Sequence, residues 1–223
     1  MDSTVISQPA IFVSSMAALE KLKIEDPTVV EQCTVAMGLS LGEYSALCFA
    51  GAFSFEDGVR LTKARGEAMQ AASDANPSGM VSIVGLDKES VKKICTAASE
   101  ATGQAIDIAN FLMDGNYAIS GRYSLAIIRR YSYLDMITGG KAACAWAKDN
   151  AASQFGARMA VPLAVAGAFH TAFMAPAVTS LKAALDQVNI VSPRIPVISN
   201  VDAQPHYAPD DIKEVSFYFT AVV

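Results

Sequence analysis

The chain has 223 residues, of which 52% are hydrophobic and 17% are charged. This size suits one good-sized hydrophobic core, or a large domain that carries a small inserted one. The 17 basic and 22 acidic residues give a net charge of -5 without a basic run, which argues against a dedicated nucleic-acid surface. No stretch approaches the roughly 18 uninterrupted apolar residues of a membrane span, and no secretory signal is expected.

Cysteine and histidine usage limits the chemistry further. Four cysteines are widely spaced among small apolar residues, which predicts reduced thiols in a reducing compartment: Cys33, Cys48, Cys95 and Cys144. There is no C-x-x-C motif, and His170 and His206 do not stand at metal-ligand spacing. A metal site is therefore not predicted.

The first predicted elements are a helix and a short strand. Apolar residues spaced near 3.6 predict an amphipathic helix over 9–23, with Pro9 in its first turn. Its buried face is predicted to carry Ile11, Phe12, Ser15, Met16, Leu19 and Leu22. Residues 32–37 are predicted to form a short buried strand that leads directly into residues 38–42.

Residues 38–42 form a G-x-S-x-G pentapeptide, the pattern of a sharp turn between a strand and a helix. A Cβ at either Gly38 or Gly42 is expected to collide with the tight backbone. The turn would lift the Ser40 hydroxyl clear of the sheet and direct the N–H of Leu41 toward a developing oxyanion. The pattern indicates acyl transfer through Ser40, and an ordinary glycine-flanked turn is the alternative.

A second helix is predicted from Phe55 to about Ser73, with Ser54 as its N-cap. One stripe of this helix carries Val59, Thr62, Arg65 and Met69. A cation in an otherwise apolar stripe needs a partner to offset its desolvation. A packing arginine, paired with a structural carboxylate or reaching the edge of the core, is one interpretation of Arg65, and a functional residue is the other.

Residues 79–163 are predicted to form an inserted small domain. A strand over 81–84, a helix over 88–98, strands at 106–109 and 117–121, a further helix and a closing strand follow the ferredoxin-like order. Residues 160–163 are expected to return the chain to the main sheet. The large α/β domain would then comprise 1–78 and 164–223, with a helix over 176–188 and a strand at 197–198.

Two histidines are candidates for the base of a serine–histidine mechanism. His206 lies in a proline-bounded polar loop and is predicted to be a solvated surface residue. His170 lies among small and apolar residues that could keep its imidazole neutral near pH 7, as a base requires. A satisfied core histidine is the alternative for His170.

Several segments, in chain order, resemble the malonyl-CoA:acyl-carrier-protein transacylases of fatty-acid synthesis. They are residues 38–47, 50–58, 65–70, 79–86, 165–171 and 196–202. The resemblance covers most of the chain between about 8 and 213, and it implies an α/β hydrolase-like large domain with a parallel sheet and a ferredoxin-like insert. Leu39 stands where most members have histidine, which resembles the version found in plants and algae.

The resemblance implies a role for each candidate residue. Ser40 would carry a malonyl ester, His170 would be its base, Leu41 N–H an oxyanion donor, and Arg65 the ligand of the malonyl carboxylate. Met69, one turn further along the stripe, is expected to line the same pocket. The implied partners are malonyl-CoA and the phosphopantetheine of acyl carrier protein, with no cofactor, metal, nucleic acid or membrane. A monomer in a plastid is expected, with mitochondrion or cytoplasm as alternative compartments.

The chain departs from the family pattern at three places. The strand with a Gly-Gln-Gly loop that supplies a second oxyanion donor is expected upstream of Met1. Residues 122–150 replace a compact helical stretch, and residues 214–223 lose the pattern. A chain truncated in this way is expected to turn over weakly. A simple serine hydrolase and a catalytically impaired isoform that acts as a binding protein therefore remain alternative functions.

Overall fold

The computed structural model describes residues 3–75, 77–111, 134–163, 167, 169 and 174–221. Contacts divide the chain into two compact units, one of Met1–Ala72 with Met174–Val222 and the other of Ser73–Phe173. The second unit contains the predicted insert, 79–163, and extends beyond it at both ends. No helix within the described ranges is long and apolar enough to span a membrane.

The described chain contains both helices and strands, as in an α/β protein. In order they are α1 (Thr4–Glu25), α2 (Pro27–Glu31), β1 (Ala36–Met37), α3 (Leu41–Phe49), α4 (Phe55–Ala75), β2 (Ser78–Val84), α5 (Lys88–Thr102), β3 (Ile106–Phe111), β4 (Leu134–Gly140), α6 (Lys141–Phe155), β5 (Met159–Pro162), α7 (Ala175–Asp186), β6 (Val197–Ile198), β7 (Pro205–His206) and α8 (Pro209–Ala221). The helices predicted over 55–73, 88–98 and 176–188 correspond to α4, α5 and α7.

The first unit contains a small sheet that leads into the G-x-S-x-G turn. β1 pairs in parallel with β6, so that Ala36 lies opposite Val197, and β6 pairs antiparallel with β7. Helices α1, α3, α4, α7 and α8 contribute side chains to one hydrophobic cluster around this sheet. Its buried members include Phe12, Tyr44, Leu47, Leu61, Leu181 and Ile212.

The start of α1 differs from the prediction because α1 packs closely against α4. The helix begins at Thr4, so the expected start at Pro9 is wrong and Pro9 lies inside it. Thr4 Oγ1 donates to the carbonyl oxygen of Gly66 at 2.7 Å, and a Cβ on Gly66 would overlap the Thr4 backbone. This contact between distant residues holds the extra helical turn before Pro9.

The buried face of α1 is also rotated from the predicted one. Its buried residues are spaced four apart: Thr4, Gln8, Phe12 and Met16. Ile11 and Leu22, predicted to be buried, are 55% and 38% exposed. Phe12 fits against Gly58 of α4, where a Cβ would overlap the Phe12 ring. The buried face is therefore the one that α4 contacts.

The strand before the turn is shorter than the predicted 32–37. Residues 36–37 alone pair with β6, and Val35 is 41% exposed. Residues 27–31 form α2, whose start the Asp26 side chain caps by accepting the Val29 N–H at 3.4 Å, and residues 32–35 connect the end of this helix to β1. The predicted strand exists, but only in its last two residues.

The second unit contains a four-stranded antiparallel sheet in the order β3-β4-β2-β5. Side chains of α5 and α6 join those of the strands in one cluster, whose buried members include Val81, Ile83, Ile94, Ile137 and Ala147. The Asp87 side chain caps α5 by accepting the Ser90 N–H at 2.7 Å, and Gly103 ends it with a φ of 66°.

Two predictions for this region have different outcomes. Residues 160–163 were expected to return the chain to the main sheet, and this is wrong: β5 pairs with β2 because it satisfies the second edge of that strand. The predicted strand at 117–121 lies outside the described residues. Within the altered segment 122–150, β4 and the first part of α6 are described.

Candidate active site

Ser40 lies at the sharp turn between β1 and α3. Its φ of 55° and ψ of -115° are unusual for a residue with a side chain, and such strain is found most often at functional sites. Gly38 permits the turn, because a Cβ there would overlap the backbone of Gly42. The predicted collision at Gly42 is wrong, since nothing lies within 4 Å of the position of its Cβ. The steric requirement for glycine falls on Gly38.

Leu41 is the first residue of α3, which begins immediately after Ser40. Its N–H has no carbonyl four residues earlier within the helix, and an amide in this position can stabilise negative charge. The next two amides are occupied: Gly42 N–H donates to the Leu39 carbonyl at 2.8 Å and Glu43 N–H to that of Ser40 at 3.1 Å. The local geometry expected around Ser40 is thus present.

Arg65 comes from α4 and meets Ser40 in the interior of the first unit. Its side chain is 1% exposed, and Nη2 donates to Ser40 Oγ at 3.1 Å. The guanidinium also lies over the Tyr44 ring, 5.7 Å from its centroid. Burial holds the pKa of Arg65 below its ordinary value, while Tyr44 and Glu43 act in the opposite direction. The structure therefore brings two sequence-predicted site residues together.

Gln8 links Arg65 to Met69. Its Oε1 accepts a hydrogen bond from Arg65 Nη1 at 2.7 Å, and its Nε2 lies 3.2 Å from Met69 Sδ. Met69 is 3% exposed, in agreement with its place on the stripe. Sequence reasoning did not single out Gln8 as a residue of the site. Its four-residue spacing from Phe12, on the buried face of α1, is the signal that could have identified it.

Asn200 is a second residue of the site that sequence reasoning did not single out. Its Oδ1 accepts the Ser40 N–H at 2.7 Å, and its Nδ2 donates to the Gly38 carbonyl at 2.8 Å. It follows β6, whose parallel partner β1 leads into Ser40. The carboxyl ends of parallel strands meet at one edge, and that position is the signal for Asn200.

Glu43 is the buried acidic group beside this turn. It is 2% exposed, and its Oε2 accepts the backbone N–H of Asn200 at 2.9 Å. Burial raises its pKa to about 7, although the Asn200 N–H and the positive charge of Arg65 favour the ionised form. Glu43 therefore changes protonation near neutral pH.

Of the two histidines, the structure describes His206 but not His170. His206 Nε2 lies 3.0 Å from Asp202 Oδ2, and the His206 side chain is 16% exposed, so this predicted surface residue is partly covered and pairs with a carboxylate. Hydrogen bonds from the Gln204 backbone and from His206 hold the pKa of Asp202 below its ordinary value. His170 lies outside the described residues, and its role as a base stays a prediction. The described part of the chain holds no cluster of ligands suited to a metal ion.

The chain is similar to malonyl-CoA-acyl carrier protein transacylases from animals and bacteria. The chain is 37% identical over 222 residues to the mouse mitochondrial malonyl-CoA-acyl carrier protein transacylase. The match covers 96% of this chain and 53% of that protein. No family model matches the chain. The chain spans about half the length of the curated mouse and human relatives that it matches.

Solved structures agree with the sequence relatives. The acyl-carrier-protein S-malonyltransferase of Bartonella henselae matches with a TM-score of 0.79 and 34% identity, over 99% of this chain and 63% of that one. A malonyl-transacylase in complex with a type II PKS acyl-carrier protein matches with a TM-score of 0.79 and 30% identity. This match covers 99% of this chain and 63% of the transacylase chain. At 34% and 30% identity, these two matches share sequence as well as the fold with this chain.

Proposed function

We infer that this chain, a relative of the malonyl-CoA:acyl-carrier-protein transacylases over nearly its whole length, transfers a malonyl group from coenzyme A to the phosphopantetheine thiol of an acyl carrier protein. The observation that carries the proposal is the buried guanidinium of Arg65, 3.1 Å from Ser40 Oγ. An acyl group esterified to Ser40 would lie within reach of this cation. A carboxylate on that group would match the planar fork of the guanidinium.

The proposed reaction proceeds in two acyl transfers. Ser40 Oγ attacks the thioester carbonyl of malonyl-CoA and gives its proton to His170, which passes it to the departing coenzyme A thiolate. The phosphopantetheine thiol of the carrier then gives its proton to His170 and attacks the malonyl-serine ester, and Ser40 leaves with that proton. The N–H of Leu41, at the start of α3, supports this scheme as a donor to the oxyanion of each tetrahedral intermediate.

The substrate carboxylate would replace a contact that already exists. Without substrate, Arg65 Nη2 donates to Ser40 Oγ, while Nη1 is held by Gln8 Oε1 at 2.7 Å. A malonyl carboxylate would take over Nη2, and the bond to Gln8 would keep the guanidinium plane oriented. Met69, 3.2 Å from Gln8 through its sulfur, would line the acyl pocket beside it. No cofactor is needed in this scheme, since coenzyme A enters as part of the substrate.

The substitution Arg65→Lys tests the proposal. Lysine keeps the charge but lacks the planar guanidinium that would hold Gln8 and the substrate carboxylate at once, so malonyl transfer should weaken by about 1–3 kcal/mol, the scale of a charged hydrogen bond. Acetyl transfer should change much less. The matched control is Arg60→Lys on the same helix, because Arg60 is 74% exposed and pairs with Asp57. Labelling of Ser40 by radioactive malonyl-CoA and acetyl-CoA measures both reactions.

Three results would contradict the proposal in different ways. An unchanged malonyl-to-acetyl ratio with a lowered unfolding midpoint would make Arg65 a packing residue. Equal losses for both acyl groups would favour a serine hydrolase without preference for a carboxylate. No label on Ser40 in a folded sample would favour a catalytically impaired binding protein.

The same proposal extends to the architecture. We propose that residues 1–78 and 164–223, which contain β1 and β6, form the α/β hydrolase-like acyltransferase domain, and that 79–163 is a ferredoxin-like insert. The strand, helix, strand, strand, helix, strand order and the antiparallel sheet β3-β4-β2-β5 support the insert. Solubility and monomeric behaviour of a fragment spanning 73–173 would test whether the insert folds by itself.

The compartment and assembly state also belong to the proposal. A plastid is proposed from the resemblance at Leu39, while the mouse relative is named as mitochondrial. A monomer is proposed as the active form. Imaging of the tagged protein together with markers for both organelles decides the compartment, and light scattering of the purified protein decides the assembly state.

A further inference from the structure

We propose that Asn200 is a positioning residue for the nucleophile: its side-chain amide ties the Gly38 carbonyl to the Ser40 N–H and so holds the strained backbone from which Ser40 Oγ projects. The two hydrogen bonds measure 2.8 and 2.7 Å. The catalytic consequence of this role rests on the proposed function, whereas the clamp itself rests on the geometry alone.

The chemistry of the contact matches the amide group of asparagine. Gly38 presents a carbonyl, which needs a donor, and Ser40 presents an N–H, which needs an acceptor. These two groups lie on either side of Leu39, and one planar amide satisfies both. A carboxylate could satisfy only the N–H, and an aliphatic side chain of the same size could satisfy neither. The site therefore selects asparagine by its hydrogen-bonding pattern.

Asn200 is itself held from two sides. It follows β6, where Ile198 pairs with Met37 of β1, so the parallel pairing sets its distance from the turn. Its backbone N–H donates to Glu43 Oε2 at 2.9 Å, and Glu43 lies in the first turn of α3. The clamp thus joins the end of β1, the turn and the start of α3 in one closed network.

The position of Ser40 Oγ depends on this network. Its φ of 55° is unfavourable for a residue with a Cβ, so the conformation persists only where surrounding contacts determine it. If the clamp is lost, Ser40 relaxes, and Oγ moves away from Arg65 Nη2 and from the N–H of Leu41. A displacement of about 1 Å at a reacting group can lower a rate about 100-fold.

The experiment compares two near-isosteric variants with a stability control. Asn200→Leu removes both hydrogen bonds, and Asn200→Asp keeps the acceptor for Ser40 but loses the donor to Gly38. The control is Val197→Ala, which removes buried volume from β6 without touching Ser40. For each protein, hydrogen exchange of the Ser40 amide is measured by NMR, together with single-turnover acylation of Ser40 by malonyl-CoA and the unfolding midpoint.

We expect the Ser40 amide of Asn200→Leu to exchange about tenfold faster than in the parent, the scale of one lost hydrogen bond. Acylation should slow by about 10- to 100-fold. Asn200→Asp should retain more Ser40 protection than Asn200→Leu at alkaline pH. Val197→Ala should lower the midpoint while leaving Ser40 exchange, corrected for global unfolding, and acylation near the parent values.

Two results would overturn the inference. Ser40 exchange that changes no more in either Asn200 variant than in Val197→Ala would show that there is no clamp. Faster exchange with unchanged acylation would show a clamp without a positioning role. If malonyl-CoA fails to acylate the parent protein, the proposed function fails, and the exchange measurement still decides whether Asn200 holds the turn. Should Asn200→Leu not fold, Asn200→Asp decides through acylation, because it lacks the donor to Gly38, and an unchanged acylation rate would overturn the positioning role.

Discussion

The substitution Glu43→Gln should remove a component of the pH dependence of stability. Burial raises the pKa of Glu43 from 4.5 to about 7. Between these values the unfolded chain releases the proton and the folded chain keeps it, so the free energy of unfolding falls as pH rises from about 4.5 to about 7. A shift of about 2.5 pKa units, at 1.36 kcal/mol each, corresponds to about 3 kcal/mol.

Glutamine resembles the protonated glutamate and cannot ionise, so the variant should lack this decline. Relative to the parent, its free energy of unfolding should rise by up to about 3 kcal/mol between pH 5 and pH 8. Arg65, His206 and Asp202 act on the charge of Glu43, so its burial and these neighbours together determine the size of the effect. Any constant effect of the new amide shifts both ends of the curve equally and leaves the difference unchanged.

Urea unfolding at several pH values measures this difference. The control is Glu67→Gln, which removes a carboxylate that is 53% exposed on α4 and should stay within about 0.5 kcal/mol of the parent at each pH. Parallel curves for the parent and Glu43→Gln from pH 5 to pH 8 would refute the reasoning. They would mean that the folded chain ionises Glu43 as readily as the unfolded chain.

Further predictions concern packing around the turn and α4. Gly38→Ala should lower the free energy of unfolding by about 1–3 kcal/mol and suppress acylation of Ser40, because the new methyl group overlaps the Gly42 backbone. Gly42→Ala should instead stabilise α3 by about 0.5–1 kcal/mol. Similar losses in both variants would contradict this distinction. Phe12→Ala should cost about 3–5 kcal/mol in urea unfolding, since Phe12 is fully buried, and a loss below 1 kcal/mol would be inconsistent with that packing. Gly66→Ala should push α1 from α4 and lower the thermal midpoint, whereas Lys63→Ala on the exposed face should not.

Much of the site could be predicted from the sequence because its signals are local. The G-x-S-x-G pattern places Ser40 immediately before a helix, and the structure begins α3 at Leu41. The spacing on α4 places Arg65 and Met69 on one buried stripe, and both are buried. A turn and a helical face depend on residues a few positions apart, so their spacing is visible in the chain.

The local sequence pattern predicted less well where helices begin and which strands pair. Pro9 predicted a helix start that α1 does not have, because Thr4 packs on Gly66 and extends the helix. Residues 160–163 were expected in the main sheet, yet β5 pairs with β2. In both cases a contact between residues far apart in the chain outweighs the local preference.

By itself, the sequence determined the G-x-S-x-G turn at Ser40, the helix that carries Arg65 and the resemblance to the transacylases, since each depends on residue types at short spacing. The tertiary structure alone decided what surrounds Ser40. Gln8 reaches Arg65 across 57 positions and Asn200 reaches Ser40 across 160. The physical reason is that a hydrogen bond between distant residues leaves no periodic trace in the chain and exists only after helices and strands have packed.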